Sequence, residues 1–168
     1  MKYIKIMVDW IILASKSNIR KKILEENQIT CRVEPSNVDE DTIKESLLKE
    51  QITPKIVSKN LAELKANKIS QKFINEIVLG ADSVIDLEGE IISKPNDRTE
   101  ALEILKKLNG KTHQLISSVC ISRGGSMIWN YTDKASLTMK DLSDLELKTY
   151  LEKISDEALY AYNVYQIE

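Results

Sequence analysis

The 168-residue sequence is 42% hydrophobic and 30% charged, with a formal net charge of −2, which is enough apolar mass for one core without metals or disulfides to hold it. With 24 basic residues against 26 acidic ones, the global basic field that nucleic-acid binding calls for is absent. Cys31 and Cys120 form no CxxC pair and have no neighbouring histidine, so they read as two reduced thiols of a cytoplasmic protein, not as a zinc site or a disulfide framework.

Lys2 and Lys5 precede an apolar run over residues 6–14 that has the outline of a short signal peptide. Asp9 interrupts it, the run is too short to cross a membrane and no small-residue cleavage site follows, so a strand is expected over residues 10–14. Ser15-Lys16-Ser17-Asn18 then make a polar turn into a helix over residues 19–27. A short strand over 31–33 is ended by Pro35 and the polar residues 36–40. A helix over 41–51 comes next. Thr53 as cap and Pro54 in the first turn open a longer one reaching about residue 69, with Ile56, Leu61, Leu64 and Ile69 as its apolar face.

β-branched residues around Gly80 predict a strand over 77–85, residues 87–89 carry turn chemistry, and 90–93 return as a strand ended by Lys94-Pro95. A helix over 99–108 places Ala101, Ile104, Leu105 and Leu108 on one face and stops at Asn109-Gly110. Residues 113–122 and 127–138 flank Gly124-Gly125, a hairpin signal. Ser143 and Glu146 match a capping box, which predicts a last helix over 144–153. Residues 160–167 read as a final strand. No repeat or linker breaks the pattern, so a single α/β domain over 1–168 is expected, a sheet with helices packed on it.

Three features carry chemistry. Ser15, Ser17, Arg20 and Lys21 sit where a strand turns into a helix, and the unpaired N–H groups of a first helical turn attract anions. Arg20 adds a bidentate fork suited to phosphate and Lys21 a mobile point charge. The plainer alternative is that Ser17 caps the helix and the cations are solvated. Asp82 stands in the apolar run Val78-Leu79-Gly80-Ala81-Asp82-Ser83-Val84-Ile85. A carboxylate there is costly unless a cation, a metal or hydrogen-bond donors meet it, and Gly80 leaves room for a ligand to approach the backbone. A structural salt bridge would also account for Asp82. Lys94 is held at a strand end by Pro95. Taken singly, Lys94 is a surface lysine, Asp39-Glu40 a helix cap and Lys65 a charge on a solvated face.

The order of these pieces resembles the Maf family of nucleotide pyrophosphatases. Leu13-Ala14-Ser15-Lys16-Ser17-Asn18-Ile19-Arg20-Lys21 is similar to its L-A-S-x-S-P-R-R-R opening, Pro35-Ser36-Asn37-Val38-Asp39-Glu40 to P-x-x-x-D-E, and Leu61-Ala62-Glu63-Leu64-Lys65-Ala66 to L-A-x-x-K-A. Gly80-Ala81-Asp82-Ser83-Val84 resembles G-A-D-T/S-V, Ser93-Lys94-Pro95 the following G-K-P, and Leu108-Asn109-Gly110-Lys111-Thr112-His113 with Ser117-Ser118-Val119 the L-S-G-x-x-H and T-x-V stretch. Each motif alone is weak; their shared register across nearly the whole chain is specific.

The resemblance implies a mixed twisted sheet with flanking helices, two lobes around a central cleft in the Maf/ITPase-like manner, and hydrolysis of a nucleoside triphosphate to the monophosphate and pyrophosphate with Mg2+ or Mn2+. It implies Asp82 as the base or metal-linked carboxylate, Glu40 as its acidic helper, and Ser15, Arg20, Lys21, Lys65 and Lys94 on the phosphates. It is compatible with a homodimer and needs neither nucleic acid nor a membrane. Asn18-Ile19 departs from the family's Pro-Arg, so one guanidinium is missing at a position linked to substrate choice. Ser83 resembles the threonine of the dTTP/UTP branch, and Glu168 the glutamate of the 7-methyl-GTP branch. Family chains run on past the position of Glu168, so a shortened C-terminus is expected. The other reading is a nucleotide-binding regulator with weak turnover, linked to cell division.

Overall fold

A computed structural model describes residues 10–50 and 52–165. The expected strand over 10–14 is present as β1 (Ile11–Leu13), and the polar turn after it leads into α1 (Asn18–Glu26). β2 (Cys31–Val33), α2 (Glu40–Lys49) and α3 (Pro54–Ser70) follow, then β3 (Val78–Leu87), β4 (Glu90–Ile92) and α4 (Arg98–Leu108). The hairpin β5 (Thr112–Arg123) and β6 (Ser126–Thr138) turns at Gly124 and Gly125, both at positive φ, the conformation glycine adopts without a Cβ penalty. α5 (Asp144–Lys153) and α6 (Asp156–Tyr162) complete the described chain.

The six strands form one mixed sheet in the order β2-β1-β3-β5-β6, with β4 paired to β3 off that path. β1 runs parallel to both neighbours, pairing Ile12 with Arg32 on one side and with Val78 on the other, while β3 and β4 are antiparallel with Ile85 opposite Ile92. This is the α/β class expected from the alternation of short apolar runs with helical patterns. Among the described residues, no helix is long and apolar enough to cross a membrane.

The chain divides into two compact units that share strands. Of the described residues, the first takes those up to Ile52, then Ile56–Asp82 and Ser118–Thr132; the second takes Thr53–Lys55, Ser83–Ser117 and those from Asp133 to Tyr165. In the first, Ile12, Ala14, Ala62, Ala66, Ile69, Val78 and Cys120 pack together. In the second the core is larger in side-chain volume, with Ile85, Leu87, Leu105, Leu108, Leu147, Leu151 and Leu159.

Two expectations are corrected. Ile56 and Leu64 do not form the apolar face of α3: they are 44% and 42% exposed, while Val57, Leu61, Ala62, Lys65, Ala66 and Ile69 are buried. The helix turns its small residues inward because Gly80 of β3 lets it come close, and hydrophobicity by itself does not register that contact. The strand expected over 160–167 is also wrong in its first part, because Tyr160 lies within α6. Ser155 caps that helix by accepting from the Ala158 N–H at 3.2 Å, and Ala158 and Leu159 are buried, so cap and core override the β-prone composition. Asn163 ends it at φ 64°. Residues 166–167 of that expected strand lie outside the described residues.

Candidate active site

The site is assembled in the first unit by β1, β3 and the helices that follow β1 and β2. Leu13 pairs with Leu79, and the Ala14 N–H donates to the Leu79 carbonyl at 2.8 Å, so Ser15 emerges from the sheet beside the stretch that leads to Asp82. Ser15 is 7% exposed, and its Oγ accepts from the Ser17 N–H at 3.2 Å and from the Arg20 guanidinium at 3.1 Å. Ser17 caps α1 by accepting from the Arg20 N–H at 3.4 Å. Ser17 therefore caps α1 as the plainer reading has it, while Ser15 and Arg20 meet each other just before the helix.

α1 carries no acidic residue in its first turn and no buried residue. Cations at a helix N-terminus oppose the macrodipole, so Arg20 and Lys21 there are better satisfied when an anion sits before them. Burial pulls the Arg20 pKa below its ordinary value, opposed by the charges of Asp82 and Glu40. Lys21 is exposed and pairs with Glu25 at 3.5 Å along the helix surface.

Asp82 is 3% exposed. Its Oδ1 accepts from Lys65 Nζ at 2.8 Å, and the same ammonium lies 2.8 Å from Glu40 Oε1. Lys65, read locally as a charge on a solvated face, is instead 5% exposed. Glu40 opens α2 and also faces Lys44 at 3.8 Å. Burial raises the Asp82 carboxyl above its ordinary value; the charges of Lys65 and Lys44 and the Lys65 hydrogen bond lower it, and Glu40 raises it.

The second oxygen, Oδ2, is buried with no hydrogen-bond partner among the described residues. An unmet hydrogen-bonding group in an interior costs about 1–3 kcal/mol, and a charged one more. The salt bridge to Lys65 therefore accounts for one oxygen of Asp82, while Oδ2, like His113 Nδ1 and Asn163 Oδ1 elsewhere, is left without a partner among the described residues. One earlier reading needs correction: the space at Gly80 is filled by α3, not kept for a ligand.

Ser83 and Lys94 fall in the second unit. Ser83 is exposed and shares a hydrogen bond of 2.9 Å with the Ser117 hydroxyl. Lys94 is exposed, two residues after the end of β4. Ile19 is 37% exposed on α1. Glu168 lies outside the described residues. Sequence reasoning missed Ser58, fully buried on α3, whose Oγ donates to the Asp82 carbonyl at 3.1 Å, and Lys44, whose charge reaches Asp82. The Ala62 and Ala66 spacing was the available signal that α3 packs closely on a strand.

The sequence profile of the family described as Maf-like protein matches residues 10–168. The chain belongs to the Maf-like family. A relative from Pelagibacter ubique called nucleoside triphosphate pyrophosphatase is 83% identical to this Maf-like chain over 162 residues, covering 96% of this chain and 83% of that one. One of the same name from a Ruegeria species is 40% identical over 158 residues, 94% of this chain and 79% of that one. A Brucella abortus relative called 7-methyl-GTP pyrophosphatase is 35% identical, with the same coverage of 94% and 79%.

Proposed function

We propose that this Maf-like chain hydrolyses the α,β linkage of a nucleoside triphosphate, releasing the monophosphate and pyrophosphate in the cytoplasm. The observation that carries the reading is Asp82, one oxygen fixed by Lys65 and the other buried and unmet. Arg20, Ser15 and the first turn of α1 hold phosphate oxygens, Arg20 through its planar fork. Lys65 neutralises charge between Asp82 and Glu40 and keeps Asp82 oriented. A water oxygen forms the new P–O bond as the bridging P–O bond breaks, and Asp82 takes the water's proton at Oδ2. The raised Asp82 pKa suits this role, because a stronger base accepts the proton more readily near neutral pH.

The donor set fits a divalent cation of the magnesium kind. Among the described residues, no three His, Cys, Asp or Glu side chains converge as a ready-made cage. Magnesium, however, is commonly bound by one or two carboxylates completed by water and substrate phosphates, and Glu40 would hold it here with Asp82 Oδ2 left free to take the water's proton. Its contribution when bound is neutralisation of phosphate charge. Ile19 and Ser83 are proposed to bear on the choice of base, which the relatives' names divide between general nucleoside triphosphates and 7-methyl-GTP.

The test is incubation with dTTP, UTP and 7-methyl-GTP in the presence of magnesium or manganese, with pyrophosphate measured against the Asp82→Asn variant. Pyrophosphate from the parent chain alone is the expected result. Tight nucleotide binding by folded protein without any pyrophosphate would replace this reading with that of a nucleotide-binding regulator.

A further inference from the structure

Gly80 stands two residues before Asp82 on β3, so both residues point to the same face of the strand. α3 lies against that face. A Cβ added at Gly80 would stand 2.2 Å from the Ala62 carbonyl oxygen, 2.7 Å from the Ala66 nitrogen and 2.9 Å from the Ala66 Cβ. The two shortest of these contacts are to backbone, which no change of rotamer can relieve. Against an ordinary separation of about 3.5 Å, the helix would have to retreat by about 1 Å.

The same stretch of α3 carries the groups that hold Asp82. Lys65 reaches Asp82 Oδ1 and Glu40 Oε1, each at 2.8 Å, and the Ser58 hydroxyl reaches the Asp82 carbonyl at 3.1 Å. Hydrogen bonds of this type lie within about 2.7–3.2 Å, so a 1 Å retreat breaks them. Lys65 is buried, which leaves its chain little freedom to follow.

We propose that Gly80 is a positioning residue: by admitting the α3 backbone to within contact of β3, it sets the spacing at which Lys65 can clamp Asp82 and Glu40 and leave Asp82 Oδ2 for the reactant. The kinetic consequence rests on the pyrophosphatase reading; the loss of the clamp rests on geometry alone. A glycine that only served packing would change stability and leave turnover per folded molecule intact.

The experiment uses the full chain with Gly80→Ala, followed by circular dichroism for folding, steady-state kinetics, and a 15N spectrum of lysine side-chain ammonium groups in which the Lys65 signal is assigned by its absence from Lys65→Arg. In folded Gly80→Ala the Lys65 signal disappears, kcat falls about 100-fold and KM is unchanged, the pattern of a misplaced catalytic group. A folded Gly80→Ala that keeps the Lys65 signal, or keeps wild-type kcat where the parent is active, overturns the proposal. If Gly80→Ala does not fold, Ala66→Val pushes α3 from the helix side with Gly80 in place; loss of the Lys65 signal there supports the proposal and its retention overturns it. If the parent releases no pyrophosphate and the signal is still lost in the variant, the pyrophosphatase reading fails while the positioning role stands.

Discussion

The second unit buries Ile85, Leu87, Leu105, Leu108, Leu147, Leu151 and Leu159 together, whereas the first packs Ala14, Ala62 and Ala66 and keeps Ser15, Ser58, Lys65 and Asp82 below a tenth exposed. Large aliphatic side chains stabilise by the apolar area they remove from water. Buried charges do not: a buried ion pair is often no more stabilising than an apolar pair of the same shape, and an unmet carboxylate oxygen is a cost. The difference separates two tasks. The second unit also buries His113 and Asn163, each with an unmet polar atom, but its core is aliphatic, while the first concentrates the buried charges Asp82 and Lys65, with Glu40 beside them.

The largest test of that separation is Asp82→Asn, expected to lower kcat about 1,000-fold, equivalent to about 4 kcal/mol, with folding kept because Asn still accepts from Lys65. Pyrophosphate release and circular dichroism measure the two halves of this expectation. In the parent chain, Asp82 must be ionised to act, and burial raises its pKa above the ordinary 3.8. Without magnesium, a 13C titration of the Asp82 carboxyl should therefore lie above the range of an ordinary carboxylate, and a titration within that range would show that burial does not make Asp82 a stronger base.

Leu105→Ala probes the other side. Leu105 is 1% exposed, so its truncation should cost about 3 kcal/mol in urea unfolding, with kcat per folded molecule unchanged. A matching fall in kcat would show that the two tasks are not separable.

His113 offers a milder probe of the second unit. It is 1% exposed, shares a hydrogen bond with the Tyr165 hydroxyl, and burial lowers its pKa from 6.5. The unfolded chain therefore takes up a proton that the folded chain refuses. The contribution is complete above pH 6.5 and is lost as pH falls from there through the lower folded-state pKa. Urea midpoints at about pH 7.5 and about pH 5.5 should differ more for the parent than for His113→Asn. Equal differences would place the pH sensitivity elsewhere.

Ser143→Ala is the smallest change. It removes the hydroxyl that accepts from the Glu146 N–H at the start of α5, leaves the backbone N–H of residue 143 donating to the Glu146 carboxylate, and should cost about 1 kcal/mol without altering turnover. Thermal unfolding with a parallel activity assay checks it.

Much of this was readable where the signal is local. Ser15 and Ser17 after an apolar strand announced the turn into α1, and Ser143 with Glu146 marked the start of α5. Asp82 stood out because a carboxylate in an apolar strand requires a partner. Lys65 did not stand out, since a lysine flanked by alanines in a helix looks the same whether its face meets solvent or a strand. Ile56 and Leu64 misled for the complementary reason, as their hydrophobicity suggested burial that close packing at Gly80 gave to Ala62 and Ala66 instead.

By itself the sequence determined the order of strands and helices as far as α5, the caps Ser17 and Ser143, and the candidates Ser15, Arg20 and Asp82, because backbone preference and the cost of burying charge act on residues one at a time or within a turn. Only the tertiary structure decided that β1 lies between β2 and β3, that one ammonium joins Asp82 to Glu40, and that Asp82 Oδ2 is left unmet. Those are facts about distances between residues far apart in the chain, which preferences acting within one turn do not encode.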